Sequence, residues 1–250
     1  MLDDPTLTEL HATKMTLPYR NGFSPRSWQK VVNIMLEKQL GISWIHRLHI
    51  MALMESDFSH ANRILFGRQL AFKIEDNNFV SDMQYGSRPG KKCISAILHK
   101  LLTYIIAMHK KGTAAFIEND AVGCYDQMVS NILLLCLRRL GIPVTATQSL
   151  GETWNQAQHF IPTQYGISEE SYCNTSEFLL FGPGQGSTIG PFLWLLCYCL
   201  MVDSMTKDIM KFHSESVDKS RHVPTAGTSF VDDTGLGVIL PTTSECQLLE

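Results

Sequence analysis

The pattern of apolar and polar positions predicts a chain that mixes helices with strands. Apolar residues recur every three or four positions after residue 93, which predicts a helix whose aliphatic stripe lies in the core. The same spacing after Ser24, a candidate N-cap followed by Pro25, predicts a helix that ends at Gly41. Further helices are predicted over 56–72, 126–140, 144–159 and 189–210.

Shorter apolar segments are typical of strands. Residues 44–53 and 114–119 each predict one strand, the second buried, and 160–181 predicts a hairpin. Residues 228–240 predict a β-hairpin that carries Asp232 and Asp233 at its tip. Because helices and strands are mixed and no repeat is present, the predicted class is α+β.

Composition and charge narrow the class of protein. Of the 250 residues 44% are hydrophobic, and the formal net charge of −3 argues modestly against a polynucleotide partner. However, residues 83–117 contain no acidic residue and six basic ones, so this segment is locally basic. The six are Arg88, Lys91, Lys92, Lys100, Lys110 and Lys111.

Cysteine usage and the apolar runs bear on location. The seven cysteines are odd in number and several lie in apolar runs, which predicts reduced thiols in an intracellular protein, nuclear or cytoplasmic. The N-terminus lacks the pattern of a signal peptide. The apolar run 189–202 is shorter than the ~20 residues that a membrane span needs, so no membrane partner is expected.

Carboxylates at strand ends are the strongest candidates for chemistry. Asp120 ends one predicted strand, and Asp232 and Asp233 lie at the hairpin tip. If the strands are neighbours, three carboxylates converge and suit Mg²⁺ or Mn²⁺. Two such ions would stabilise both the attacking and the leaving oxygen of an in-line phosphoryl transfer, the chemistry that such a cluster serves best. Considered alone, the acid pair is more often a turn feature and Asp120 a strand-end cap. Asp126 is best interpreted as the N-cap of the next helix.

A glycine-rich loop, 182–188, joins a strand-like segment to an apolar helix. It resembles a phosphate-binding loop but has no Lys before Ser187, so an ATPase is disfavoured. The glycines allow a close approach of the backbone to a ligand, and Gln185 offers a donor and an acceptor to a base or sugar. The alternative is a simple turn between strand and helix.

Taken in order, these segments resemble the reverse transcriptase domain of non-LTR retrotransposons and group II intron-like elements, over residues 28–240. The segment 120–126 resembles motif A, in which Asp120 would bind metal and Tyr125 would exclude a ribose 2′-OH. The segment 185–191 resembles motif B, whose Gln185 and Gly186 would line the nucleotide and template site. Residues 230–233 resemble motif C, with Asp232 and Asp233 as the catalytic acid pair.

Two upstream segments, residues 47–62 and 84–91, resemble the first and second fingers motifs of the same family. By this resemblance Arg47 would contact the triphosphate, and Arg88 and Lys91 the template backbone or neighbouring phosphates. The alternatives are a surface residue for Arg47 and a solvated loop for Lys91. Two positions depart from the family pattern, namely Gly190 where Ser usually precedes Pro, and Ser87 where an aromatic residue is usual.

The resemblance implies a polymerase right hand, with an antiparallel palm sheet flanked by helices. Fingers are expected at 24–112 and an incomplete palm at 113–250, after a leader or remnant at 1–23; the thumb is absent and would come from a longer parent protein. The implied activity is RNA-directed DNA synthesis from dNTPs on an RNA template with a DNA primer, in a retroelement-derived fragment. The main alternative is a catalytically inactive, reverse-transcriptase-like RNA-binding scaffold.

Overall fold

The chain divides into two compact units. The computed structural model describes residues 4–42, 44–110, 113–121, 123–177, 180, 182–206, 212–215, 222–225 and 227–240. Unit 1 comprises residues 1–70 and 125–193, and unit 2 comprises 71–124 and 194–250. The units are interleaved along the sequence, and the division into fingers and palm stays a prediction.

Helices and strands alternate along the described residues, which confirms the mixed class. The helices are α1 (Pro5–Asn21), α2 (Ser56–Ile64), α3 (Ala71–Asp76), α4 (Cys93–Lys110), α5 (Ser130–Arg139), α6 (Val144–Asn155) and α7 (Gly190–Thr206). A 3₁₀ turn covers Ile45–Arg47, and a π-helical turn, Leu65–Leu70, joins α2 to α3. The strands are β1 (Lys30–Glu37), β2 (Leu48–Met54), β3 (Thr113–Asp120), β4 (Gln158–Phe160), β5 (Pro162–Thr163), β6 (Gly166–Ile167), β7 (Phe212–Glu215), β8 (His222–Thr225), β9 (Gly227–Phe230) and β10 (Asp233–Leu240).

Unit 1 combines a small sheet with helices and an aromatic core. Strand β1 pairs antiparallel with β2 and parallel with β4, in the order β2-β1-β4. Helix α6 packs against both α1 and α5. The rings of Tyr19 and Phe58 lie 5.4 Å and 5.1 Å from that of Trp28, so α1, the start of β1 and α2 share one core.

Unit 2 is built on the antiparallel sheet β3-β10-β9, with α4 packed against β9. Helix α7 begins in unit 1 and continues in unit 2. Apolar side chains lie on all sides of this helix. Exposure is at most 4% at Phe192, Leu193, Leu195 and Val202. None of the described helices is both long and apolar enough to span a lipid bilayer.

One prediction near the N-terminus is wrong, and one stays a prediction. Within the segment 1–23, assigned to a leader or remnant, residues 5–21 form α1, which Asp4 caps by accepting a hydrogen bond from the Thr6 N–H at 2.9 Å. That assignment stays a prediction. The helix predicted from Ser24 is instead strand β1. Its residues alternate in burial, with Val31 and Asn33 buried, and β-branched residues suit a half-buried strand better than a helix.

The prediction that the aliphatic stripe of α4 is core is also wrong. Its large apolar side chains are between 44% and 71% exposed, namely Ile94, Ile97, Leu98, Leu101, Leu102, Ile105 and Met108. The buried positions are Ala96, Thr103 and Ala107, on the opposite side of the helix. Because these side chains are small, α4 can approach the sheet closely. The helix therefore packs with the face opposite its large apolar residues. Strand β3, predicted as buried, likewise leaves Ile117 62% exposed.

The remaining elements agree with their predictions to within a few residues. Strand β2 lies in the predicted 44–53 segment, and α2, α5, α6 and α7 lie in the predicted helical segments. The hairpin at 160–181 is reduced to the short pair β5–β6. Residues 207–210 of the predicted last helix lie outside the described residues.

Candidate functional site

The carboxylates of unit 2 are positioned by the register of its sheet. Asp233 pairs with Asp120 of β3 on one side and with Phe230 of β9 on the other. The hairpin turn therefore consists of Val231 and Asp232, and Asp233 is the first residue of β10 rather than part of the tip. Residues directly opposite each other in an antiparallel pair project from the same face, with Cβ atoms roughly 4.5–5.5 Å apart. Asp120 and Asp233 are thus cross-strand neighbours.

The hairpin turn is held by hydrogen bonds to Gln84, a residue that is only 1% exposed. The Gln84 Oε1 atom accepts hydrogen bonds from the backbone N–H groups of Gly86 (2.8 Å) and Val231 (3.1 Å). Its Nε2 donates to Ser229 Oγ and to the Val231 carbonyl, which also accepts from the Trp194 indole N–H at 2.7 Å. Val231 has a φ of 58°, an unfavourable conformation for a β-branched residue, so this network holds the turn in a strained geometry.

A basic and a phenolic side chain of α4 engage the same face of the sheet. Lys100 forms an ion pair with Glu118 at 2.5 Å, and the Tyr104 hydroxyl donates to the same carboxylate at 2.8 Å. The hydrogen bond to Glu118 raises the pKa of Lys100, and the charge of Asp233 adds to this effect. Desolvation opposes ionisation of Glu118, but the bonds from Lys100 and Tyr104 outweigh it and lower the pKa of that carboxyl.

A cavity of about 490 Å³ opens on this face, and its walls include Asp120, Asp233, Lys100 and Glu118. The oxygen donors of Asp120 and Asp233 match the ligand preference of Mg²⁺ or Mn²⁺. Asp232 does not line this cavity. Within the described ranges, no group of three or more His, Cys, Asp or Glu side chains is arranged to hold a metal ion. The donor chemistry of the facing pair fits a divalent cation, and convergence of all three acids stays a prediction.

The predicted phosphate-binding residues of the 84–92 loop differ in their exposure. The Arg88 side chain is only 5% exposed and binds Glu75 through two hydrogen bonds of 2.9 Å and 2.7 Å. Its Nη1 donates to the carbonyls of Ser81 and Gln84. Lys91 is exposed, with its ammonium 5.6 Å from the centre of the Tyr85 ring. Contact of Lys91 with phosphate stays a prediction, and the same contact by Arg88 requires its internal bonds to open.

In unit 1, the glycine loop 182–186 packs tightly against strand β2 and the 125–128 turn. A Cβ atom at Gly186, where φ is 103°, would lie 2.6 Å from the Ala52 carbonyl oxygen, and one at Gly182 would lie 2.0 Å from that of Tyr125. The Gln185 carbonyl accepts a hydrogen bond from the Ala52 N–H at 2.6 Å. Glycine is thus required at both positions by close backbone approach.

Tyr125 and Asp126 lie beside this loop. A Cβ atom at Gly190 would be 3.4 Å from the Tyr125 ring, so glycine here leaves the ring room that a serine would fill. Asp126 does not cap α5, whose N-cap is Val129, so that prediction is wrong. Desolvation raises the pKa of the Asp126 carboxyl, although the residue keeps an exposed surface. The hydrogen bond from the Gln185 backbone and the charge of His49 lower this pKa, but by less. Arg47 ends the 3₁₀ turn before β2 and is exposed.

The sequence patterns did not reveal Gln84 and Trp194 as supports of the hairpin. Gln84 belongs to a segment with clear loop chemistry, and Trp194 lies in a uniformly apolar helix. Nothing local marks either side chain as a partner of Val231. Only the burial of Gln84, which the structure shows, indicates that both ends of its amide need hydrogen-bond partners.

Comparisons with known proteins give a fold but no family. No protein-family model matches the chain, and no curated protein matches its sequence. Among solved structures, apo telomerase from Candida tropicalis truncated from the C-terminal domain is similar with a TM-score of 0.55 at 11% identity, over 98% of this chain and 50% of that one. Telomerase from Candida albicans, in complex with the TWJ fragment of telomeric RNA, gives a TM-score of 0.57 at 10% identity, over 98% of this chain and 42% of that one.

The chain therefore spans half or less of the length of these telomerases. At such identities the likeness shows the fold alone. Telomerase is an enzyme of the reverse transcriptase family, so the coarse prediction of a polymerase-like fold is confirmed, while the non-LTR or group II type stays a prediction. The described residues have a reverse-transcriptase-like fold.

Proposed function

We propose that this chain is a reverse transcriptase domain that synthesises DNA from dNTPs on an RNA template by phosphoryl transfer. The observation that carries the proposal is the register of the palm-like sheet, which pairs Asp120 with Asp233 directly beside the turn that contains Asp232. The reverse-transcriptase-like fold supports it. We assign the chain to the retroelement type, non-LTR or group II intron-like, on the order of its three motifs.

The acids of unit 2 would hold two Mg²⁺ or Mn²⁺ ions. Bound there, the ions would stabilise charge on the attacking and leaving oxygens while a primer 3′-OH displaces pyrophosphate from the dNTP α-phosphate. The sheet contributes rigidity, since Asp120 and Asp233 lie on paired strands and the Gln84 network fixes the turn carrying Asp232. Because the Lys100 ammonium is paired with Glu118, the facing carboxylates of Asp120 and Asp233 are left to bind a divalent cation.

Residues of unit 1 would select and orient the nucleotide. We assign Tyr125 to the exclusion of a ribose 2′-OH, and Gln185 and Gly186 to contact with the nucleotide or template. Exposed Arg47 would bind the triphosphate, because a guanidinium presents a fork of donors to phosphate oxygens. Lys91 would add sequence-independent affinity for the RNA template and DNA primer.

A second candidate function is that of a catalytically inactive RNA-binding scaffold. Two observations favour it, namely that no three metal-ligating side chains converge within the described residues and that Arg88 is turned inward by Glu75. An RNA partner is common to both candidates, and a scaffold would keep the fold and the basic loop without DNA synthesis.

Primer extension by the purified chain on poly(rA)/oligo(dT), with Mg²⁺ or Mn²⁺, tests the proposal. We expect Asp232→Asn to abolish extension, a loss of roughly 1,000-fold or more, because an amide oxygen is a neutral and weaker ligand for a divalent ion. The thermal unfolding transition should be retained, since the half-buried Asp232 side chain makes no hydrogen bond within the described residues.

Asp76→Asn is the matched control, because it makes the same chemical change at an exposed site at the end of α3. It should extend the primer like the wild type. Equal extension by Asp232→Asn and wild type would contradict the proposed role of the acid. A folded wild-type chain that binds RNA but extends no primer under either metal would favour the scaffold.

A further inference from the structure

Helix α4 of unit 2 carries large apolar side chains that are exposed rather than packed. Seven residues are between 44% and 71% exposed, namely Ile94, Ile97, Leu98, Leu101, Leu102, Ile105 and Met108. We call these seven residues the α4 stripe. The helix packs against β9 with its other side, where Ala96, Thr103 and Ala107 are buried. The proposed chemistry assigns the α4 stripe no role.

The α4 stripe is large for the surface of a protein that acts alone. At their exposed fractions the seven residues present on the order of 700 Å² to solvent, whereas the largest apolar patch of a typical monomer is roughly 300–600 Å². A specific protein–protein interface of standard size buries roughly 800 Å² on each partner. The stripe therefore supplies most of the area that one side of a stable dimer needs.

The spacing within the α4 stripe favours a helix as its occupant. Alternating steps of four and three residues separate five of its members, Ile94, Leu98, Leu101, Ile105 and Met108. This is the 3.5-residue repeat of helices that pack along one another. At 1.5 Å per residue the repeat extends along about 21 Å of α4. A second copy of the chain brings such a helix, namely its own α4.

The charges around the α4 stripe suit a contact between two identical surfaces. Between Cys93 and Met108 the sequence has a single Lys, Arg, Asp or Glu, which is Lys100. Its ammonium is paired with Glu118 of the sheet, so its charge is balanced within the same copy. In a two-fold contact each copy presents the same patch, and an unpaired charge there would repel its own counterpart. An uncharged apolar patch is self-complementary.

We propose that two copies of this chain associate through the α4 stripe, with their α4 helices antiparallel about a two-fold axis beside Leu101. Leu101 is the midpoint of the 3.5-residue repeat, so each Leu101 contacts its counterpart, and Ile94 of one copy lies near Met108 of the other. Antiparallel helices also align their dipoles favourably. The inference does not depend on the proposed function, because association is measured without DNA synthesis.

Sedimentation equilibrium of the purified chain, after RNase treatment, tests the proposal. Interfaces of this size have dissociation constants from micromolar to picomolar, so at about 50 µM the wild type should have twice the mass of one chain. Leu101→Glu should weaken the association at least about 100-fold, because two carboxylates would meet in an apolar contact. Leu10→Glu makes the same change at an exposed leucine of α1 and should dimerise like the wild type.

A charge-swap pair distinguishes a specific two-fold contact from a general effect on solubility. Leu101→Lys alone should also be monomeric, since the two ammonium groups would repel each other. An equimolar mixture of Leu101→Glu and Leu101→Lys should form a heterodimer, because opposite charges then meet at the axis. Both variants should keep the circular dichroism of the wild type, since Leu101 is 49% exposed. A mixture of folded variants that stays monomeric would overturn the proposal.

Salt separates this dimer from association through residual RNA. Lys91 and Lys92 precede α4 and Lys110 ends it, so an antiparallel pair brings basic ends of the two copies together. Added NaCl screens this repulsion and should leave the dimer as tight or tighter, whereas it weakens a contact through RNA. A dimer lost in NaCl would overturn the proposal.

The mass of the wild type decides between a second copy and other occupants. A wild type that is monomeric at about 50 µM, or a dimer that Leu101→Glu leaves intact, would overturn the proposal. The α4 stripe would then be left to a segment of a longer protein or to a lipid surface. Flotation of the wild type with phosphatidylcholine vesicles identifies the lipid surface.

Discussion

Each unit contains a loop in which a glutamine stands close to a glycine that packs against a strand, but the two loops use their glutamines differently. In unit 2 the Gln84 side chain is fully engaged in hydrogen bonds, because both ends of its amide bond to the hairpin and its oxygen also bonds to Gly86. In unit 1 the Gln185 backbone makes the contacts, to Ala52 and Asp126, while its side chain lines a cavity. A glutamine held by its backbone leaves its side chain to line the cavity.

The glycines of the two loops are alike in excluding a side chain. A Cβ atom at Gly86 would lie 2.3 Å from the Val231 nitrogen, and one at Gly186 would lie 2.6 Å from the Ala52 oxygen. Both distances are far below ordinary contact, so each loop is seated on backbone that has little freedom to move. The difference between the loops therefore lies in the glutamine side chains, and the predictions below test it.

The largest effect is expected from Gly186→Ala. The substitution places a Cβ atom against the Ala52 backbone and also forces alanine into a φ of 103°, so strain and overpacking add. We expect the free energy of unfolding to fall by about 4 kcal/mol, measured by denaturant titration. Gly41→Ala separates the two causes, because Gly41 has a φ of 83° with nothing within 4 Å of an added Cβ. Equal losses in both variants would show that the close approach to Ala52 contributes nothing.

The next effect distinguishes the two glutamines directly. Gln84→Leu leaves the N–H groups of Val231 and Gly86 without their acceptor, and we expect a loss of about 3 kcal/mol in the free energy of unfolding. Gln185→Leu removes no side-chain hydrogen bond made within the described residues, and a loss of no more than about 0.5 kcal/mol is expected. The comparison fails if the two variants are destabilised by the same amount in denaturant titrations.

The sequence predicted correctly those elements whose signals lie within one short segment. The hairpin with its acids followed from a short apolar segment and turn residues, and α7 from a continuous apolar run. The signals for α1 were present in Asp4, Pro5 and Gly22, an N-cap, a first-turn proline and a left-handed C-cap, but weak amphipathicity concealed the helix. Strand β1 was mistaken for a helix because its apolar residues also satisfy helical spacing.

Contacts between distant segments could not be predicted from the pattern. Periodicity found the aliphatic stripe of α4 but not that Ala96 and Thr103, on the other side, face the sheet. The sequence placed Asp232 and Asp233 at a hairpin, yet only strand register showed that Asp233 is the neighbour of Asp120. The apolar cavity of unit 1 exists only where residues of β1, α6 and the glycine loop 182–186 come together, which no local pattern shows.

The smallest effect concerns the anchor of the 84–88 loop and depends on pH. The hydrogen bonds from Arg88 hold the pKa of Glu75 below its ordinary value, against the desolvation of the carboxyl. A lowered folded-state pKa means that this stabilisation is present above the unfolded-state pKa of about 4.5 and is lost as the pH falls through the folded-state value. Glu75→Gln should therefore reduce the free energy of unfolding by about 1 kcal/mol at pH 7, and the difference from wild type should shrink toward zero at pH 3. Glu9→Gln, at an exposed position of α1, should show neither the loss nor its pH dependence. If the Glu75→Gln difference stays constant from pH 7 to pH 3, the carboxylate charge is not what anchors Arg88, and the loop that presents Gln84 to the hairpin is held by the carbonyls of Ser81 and Gln84 alone.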